Sequence, residues 1–78
     1  KEVQSRIPWV ARLSDARQRV LYEMAFQLGI NGLMAFQNTL QAVKDGDWRG
    51  AKAGMLNSKW ATQTPARAIE LSDQMLKG

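Results

Sequence analysis

Seven acidic side chains are the first candidates for chemistry in this sequence: Glu2, Asp15, Glu23, Asp45, Asp47, Glu70 and Asp73. Cleavage of a glycosidic bond needs two carboxyl groups facing one another across a cleft, one as acid and one as base or nucleophile. Asp15, Asp45 and Asp47 stand where helix caps and turns want a short acid. Glu70 follows Arg67 by three residues and Asp73 precedes Lys77 by four, the spacing of ion pairs on a helix surface. Glu23 alone flanks an apolar helix face, and its expected role is structural, in a pair with an arginine, rather than that of a catalytic acid. Histidine and cysteine are both absent. That removes the usual general base, the commonest metal ligand, a cysteine zinc site and any disulfide framework. The glycines fall at helix ends or inside helices, so no phosphate-cradling loop is formed.

Binding chemistry is better represented than catalysis. Phe26 and Gln27 sit side by side on one helix, with Phe26 pointing away from the main apolar stripe. They either line a groove or are covered by other helices, and spacing alone leaves both readings open. Trp60, Gln63 and Arg67 form a second group. An indole can stack on a sugar and a guanidinium can hold a carboxylate. Periodicity favours the plainer reading, in which Trp60 plugs the core and Arg67 makes a surface ion pair.

The elements that must position these residues all read as helical. No stretch alternates with period two for long enough to make a strand. The first element spans about Val3 to Arg12 and is kinked or delayed by Pro8. Ser14 caps a helix from Asp15 to Leu28 that carries Ala16, Val20, Leu21, Met24, Ala25 and Leu28 on one face and is stopped by Gly29. With seven of nine residues apolar or aromatic from Val20 to Leu28, it is expected to be the central helix. A turn or short helix from Ile30 to Phe36 follows. Gln37 to Lys44 is ended by Asp45-Gly46, and Asp47 caps a helix from Trp48 to Leu56 with Trp48, Ala51, Met55 and Leu56 inward. Lys59 to Gln63 makes a turn and a half. Thr64-Pro65 starts a last helix to Leu76, with Thr64 as N-cap and with Ala66, Ile69, Leu71 or Ser72, Met75 and Leu76 inward.

The fold class is therefore all-α: a compact array of six or seven short helices around a central buried helix, residues 1–78 forming one domain. Apolar residues at 45% suffice for a core, and the net charge of +4 favours anionic partners. The basic residues are scattered, with no stripe of the kind a nucleic-acid partner requires, and no run spans a membrane. No partnership with nucleic acid and no stable membrane insertion is expected. The chain opens on Lys1 rather than methionine, which fits a piece of a longer protein.

Two segments resemble a known family. Met24-Ala25-Phe26-Gln27-Leu28-Gly29, followed by Gly32 and by Phe36, Asn38 and Leu40, resembles the central helix of bacteriophage lysozymes. Trp48 and Ala51, then Ser58-Lys59-Trp60, Gln63-Thr64-Pro65 and Arg67-Ala68, are similar to the C-terminal signature of that family. The resemblance runs without a gap along all 78 residues and covers only the family's C-terminal lobe. It implies a parent N-acetylmuramidase that hydrolyses the β-1,4 bond between N-acetylmuramic acid and N-acetylglucosamine without metal or cofactor. The catalytic glutamate would lie in an N-terminal lobe outside this chain, so this chain contributes no catalytic residue and is expected to be inactive alone. On the same resemblance Phe26, Gln27, Thr39 and Trp60 face the substrate, Trp60 packs beside Gln27, and Arg67 positions the glutamate of the other lobe. Gly54 and Glu70 depart from the family pattern, so that one polar cleft contact is lost or shifted and one ion pair between the lobes is not carried over by the resemblance. The implied partners are peptidoglycan and the N-terminal lobe, and the implied setting is the cytoplasm of a host bacterium with murein in the periplasm as target. The alternative is a non-catalytic basic helical module that binds cell wall or a membrane surface.

Overall fold

Ile7 separates two short elements at the start of the chain because Pro8, fixed near φ −65° and lacking an N–H, cannot continue the helix before it. In the computed structural model, which describes residues 2–78 and side chains from Val3 onward, α1 spans Glu2–Arg6 and a 3-10 turn spans Pro8–Arg12. Then follow α2 (Asp15–Met34), α3 (Gln37–Asp45), α4 (Trp48–Leu56), α5 (Lys59–Gln63) and α6 (Pro65–Lys77). No strand occurs among the described residues, and none of their helices is long and apolar enough to cross a membrane.

Local chemistry sets most boundaries. Ser14 accepts from the Arg17 N–H, Asp47 from Gly50 and Ser58 from Ala61, each satisfying a first-turn donor that the helix itself leaves unpaired. Gly29, at φ 77° and ψ 161°, breaks α2 into a long segment and a final short turn. Gly46, at φ 78°, closes α3 in the left-handed conformation. Thr64 departs from expectation: its hydroxyl donates back to the Trp60 carbonyl instead of capping α6, so Pro65 alone marks that start.

Val20, Leu21 and Met24 of α2 are buried to 1% exposure or less. They meet Val3, Ile7 and Val10 from the N-terminal elements, Leu33 beyond Gly29, Leu40 and Val43 of α3, Ala51 and Met55 of α4, and Ala68, Leu71 and Met75 of α6 in one core. α4 packs most extensively on α6 and α3, while α2 packs on α6 and α1. The unit measures 28 × 23 × 20 Å.

Two inward faces differ from the periodic reading. On α6 the buried set is Ala68, Leu71, Ser72 and Met75, while Ala66, Ile69 and Leu76 face outward. Two apolar stripes overlap on this helix; Leu71, Ser72 and Met75 are buried as expected, and Ala68 takes the place expected of Ala66, Ile69 and Leu76. Ser72 is tolerated there because its hydroxyl donates to the Ile69 carbonyl at 3.1 Å. On α4, Leu56 lies outside the core and Trp48 is half-buried. Trp48 is instead covered by Arg17, whose guanidinium carbon lies 3.6 Å from the ring centroid. Arg17 also donates from Nε to the Met75 carbonyl at 2.7 Å and from Nη2 to that of Leu76 at 3.1 Å. One side chain of α2 thus joins α4 to the C-terminal end of α6, where the helix dipole favours a cation. Desolvation lowers the Arg17 pKa from its ordinary value, yet a guanidinium stays charged at any working pH.

Candidate functional site

The long segment of α2 ends at Gly29, so its last turn presents side chains at the edge of the unit rather than within a continuing helix. Phe26 is 91% exposed there, an unusual position for the largest apolar residue type in the segment. Gln27, beside it, is also exposed but is held in place: its Oε1 accepts from the Trp60 indole N–H at 2.9 Å. Because the indole nitrogen can only donate, this bond fixes which end of the Gln27 amide faces Trp60 and leaves the amide N–H pair for another acceptor. Trp60 itself is only 5% exposed and stands edge-on to Phe36, with centroids 6.3 Å apart and an interplanar angle of 83°. It therefore does not offer a ring face for stacking; it plugs the core, as periodicity favours, and packs beside Gln27, as the resemblance implies. The reason is the Ser58 cap, which starts α5 so that Trp60 turns into the core.

Arg67 lies in the first turn of α6 and reaches Glu23 at 3.1 Å and Glu70 at 3.5 Å from Nη1. It is therefore paired, not free, and Glu23 has the arginine partner that its flanking position suggested. Glu23 and Gln27 are one helical turn apart on α2. The Glu23–Arg67 and Gln27–Trp60 contacts consequently lie in sequence along one strip, flanked by Phe26. Between α2 and α6 the strip continues into a groove of about 370 Å³, floored by Val20 and Leu71 and rimmed by Asp15, Arg19, Glu23, Arg67 and Glu70. Thr39 is not part of this strip. It is 5% exposed in the first turn of α3, beside Gly54 of α4, and borders a separate hollow with Phe36, Asn38 and Asn57.

The strip combines an exposed aromatic ring, an oriented amide and a guanidinium. Such a set recognises a polar ligand that has an apolar face and an acceptor or an anion. Glu23 and Glu70 share one arginine on an open surface, the arrangement of an ordinary ion-pair cluster. Among the described residues no group of acids could hold a metal ion. Elsewhere, the expected Asp73–Lys77 pair is replaced by an Asp73–Lys52 contact of 2.6 Å between α6 and α4. The hydrogen bond and positive charge of Lys52 hold the Asp73 carboxyl below its usual range. Partners such as Lys52–Asp73 and Arg17–Trp48 are 21 and 31 residues apart in the chain, so no local spacing signals them.

Known proteins are similar to this sequence over part of their length. The chain is 53% identical over 45 residues, 58% of its length, to a protein named peptidoglycan hydrolase gp36 of Pseudomonas phage phiKMV, of which it spans 5%. It is 37% identical over 70 residues, 90% of its length, to the pre-baseplate central spike protein Gp5 of Enterobacteria phage T4, of which it spans 12%. It is 34% identical over 56 residues, 72% of its length, to probable T4-type lysozyme 1 of Dictyostelium discoideum, spanning 33% of that protein. The chain thus spans a third or less of each of these relatives. No family model and no solved structure matches it significantly. Its helical architecture and these similarities together make the chain an all-α region related to the phage-type lysozymes.

Proposed function

We propose that this chain is the substrate-binding lobe of a murein-degrading glycoside hydrolase. The reading rests on the similarity to proteins named peptidoglycan hydrolase and T4-type lysozyme. The strip of Phe26, Gln27 and Arg67 is consistent with it. Its parent hydrolyses the β-1,4 bond between N-acetylmuramic acid and N-acetylglucosamine in peptidoglycan, and an N-terminal lobe of the same enzyme supplies the acid. Phe26 and the free N–H pair of Gln27 contact the glycan, with Trp60 acting behind Gln27 as the group that orients it. Thr39 contributes from its separate hollow. Arg67 releases Glu23 in favour of the catalytic glutamate when the other lobe is present; the Glu23–Arg67 pair is partly open to solvent, so giving it up costs little. The parent is made in the cytoplasm of a host bacterium and acts on murein in the periplasm.

The test is clearing of outer-membrane-permeabilised cells by the 78-residue chain and by the chain joined to a phage-lysozyme N-terminal lobe. The expected result is no clearing by the chain alone and clearing by the joined protein. Clearing by pure chain would overturn the two-lobe reading and make Glu23 and Glu70 the carboxylates to substitute. A folded joined protein that binds no murein would overturn the substrate assignment.

A further inference from the structure

A third concave site lies away from the strip and shares no residue with it. Where the 3-10 turn meets α3, Arg6, Trp9, Gln37, Gln41 and Lys44 enclose a hollow of about 210 Å³ over a floor of Ile7 and Leu40. Ile7 and Leu40 are buried and Trp9 is half-buried at the wall. Arg6 and Lys44 are exposed, and each sits in the last turn of its own helix. The dipoles of both helices stabilise those cations, which accounts for their placement without occupying their donors. Neither makes an ion pair among the described residues. The acid nearest in sequence to Lys44, Asp45, is engaged by the Gln41 amide nitrogen at 3.1 and 3.2 Å.

We propose that this hollow binds a carboxylate-bearing sugar unit of a glycan strand. Two cations in one small concavity select an anion. The indole beside them offers an apolar face to the C–H face of a pyranose ring, and the Gln37 amide can meet a hydroxyl or acetamido group. A concave hollow with an amide wall suits a discrete saccharide, whereas a bilayer surface is better met by protruding apolar side chains. Murein supplies such a unit where a muramic acid bears no stem peptide and its lactyl carboxylate is free, and that choice of source rests on the function proposed above. A second contact on the same polymer would raise retention through effective concentration without altering the strip.

The test is an amide and indole NMR titration of the full 78-residue chain with N-acetylmuramic acid and, separately, N-acetylglucosamine. N-acetylmuramic acid should move the Trp9 indole N–H and the Gln37 and Lys44 amides. N-acetylglucosamine should bind about tenfold more weakly, the loss of one charge-assisted contact. Arg6→Gln with Lys44→Gln, both at exposed positions, should abolish the preference, while Gln27→Ala should leave these shifts intact. Equal binding of the two sugars, or shifts confined to Gln27 and Trp60, would overturn the proposal. So would an absence of sugar shifts at Trp9 together with Arg6- and Lys44-dependent binding to phosphatidylglycerol vesicles. Sedimentation with purified sacculi separates the two readings. Trp9 shifts without sacculus binding would sink the murein function and leave the site, whereas sacculus binding without Trp9 shifts would do the reverse.

Discussion

Gly54 shows how a single missing side chain positions a neighbour. A Cβ built at this residue would overlap the Thr39 hydroxyl, so the glycine permits α4 to lie against α3 with Thr39 buried between them. Gly54→Ala gains about 1 kcal/mol of helix preference but meets an overpacking cost of about 1–3 kcal/mol. The expected outcome in chemical denaturation is a net loss of stability. Thr39→Ala in the same chain should restore it, since it removes the atom in conflict; an unchanged midpoint for Gly54→Ala alone would show that the hydroxyl simply rotates away. Trp60→Phe tests the other buried polar contact. It keeps one six-membered ring but deletes the donor to Gln27, and should cost about 0.5–1.5 kcal/mol for the lost hydrogen bond, with the cavity left by the smaller side chain adding to that loss. In the joined enzyme, activity should fall by more than this stability loss explains, because Gln27 is no longer oriented.

Between elements, the two contacts with α6 that the sequence did not signal are the ones that pH and substitution can expose. The Asp73 carboxyl is held below its ordinary range first by its hydrogen bond to Lys52 and then by the charge of that group. A depressed folded-state pKa gives stability that is fully present above the unfolded pKa and is lost as pH falls through the folded one. Asp73→Asn should therefore flatten the acid limb of a stability–pH curve and leave the curve near neutrality little changed in shape. Because the pair is partly open to solvent, added salt should weaken the same effect. Arg17 acts at the other end of α6. Arg17→Ala removes two charge-assisted bonds to the last-turn carbonyls and the cover over Trp48, a loss of about 1.5–3 kcal/mol. Amide exchange of the last turn of α6 should accelerate before that of α2, a pattern that uniform destabilisation would not give.

As a whole the molecule is small, and a domain of this length buries only about 60% of its unfolded surface, so its stability margin is narrow. Leu21 is 1% exposed in the middle of the shared core. Leu21→Ala should cost about 2–5 kcal/mol, enough to unfold the chain at ambient temperature; a cooperative native transition retained near the parent midpoint would mean the core collapses around the gap. The parent chain itself should give a helical far-ultraviolet dichroism spectrum, since its caps, core and helix pairing agree with one another. A coil spectrum would show that the 78 residues need a partner to fold.

The sequence by itself determined what is settled within a turn of the chain. Ser14, Asp47, Gly29, Gly46 and Pro65 mark boundaries through bonds and dihedral preferences that involve residues at most four apart. The all-α class and the buried Val20, Leu21 and Met24 follow from the same short-range periodicity. Glu23 was legible as an arginine partner because it flanks that apolar face. Which arginine, and which stripe of α6, were not, because both depend on how helices meet. α6 carries two overlapping apolar stripes, and only packing against α4 and α2 selected Ala68, Leu71, Ser72 and Met75 over Ala66, Ile69 and Leu76. The fate of Trp60 was settled in the same way: its indole N–H found Gln27 on α2 and its ring found Phe36, so an amphipathic side chain that could have stayed open to solvent became a buried support for Gln27. Local bonds are specified by neighbouring residue types, whereas the choice between two competent faces is made by the complementary surface, which the chain supplies from tens of residues away.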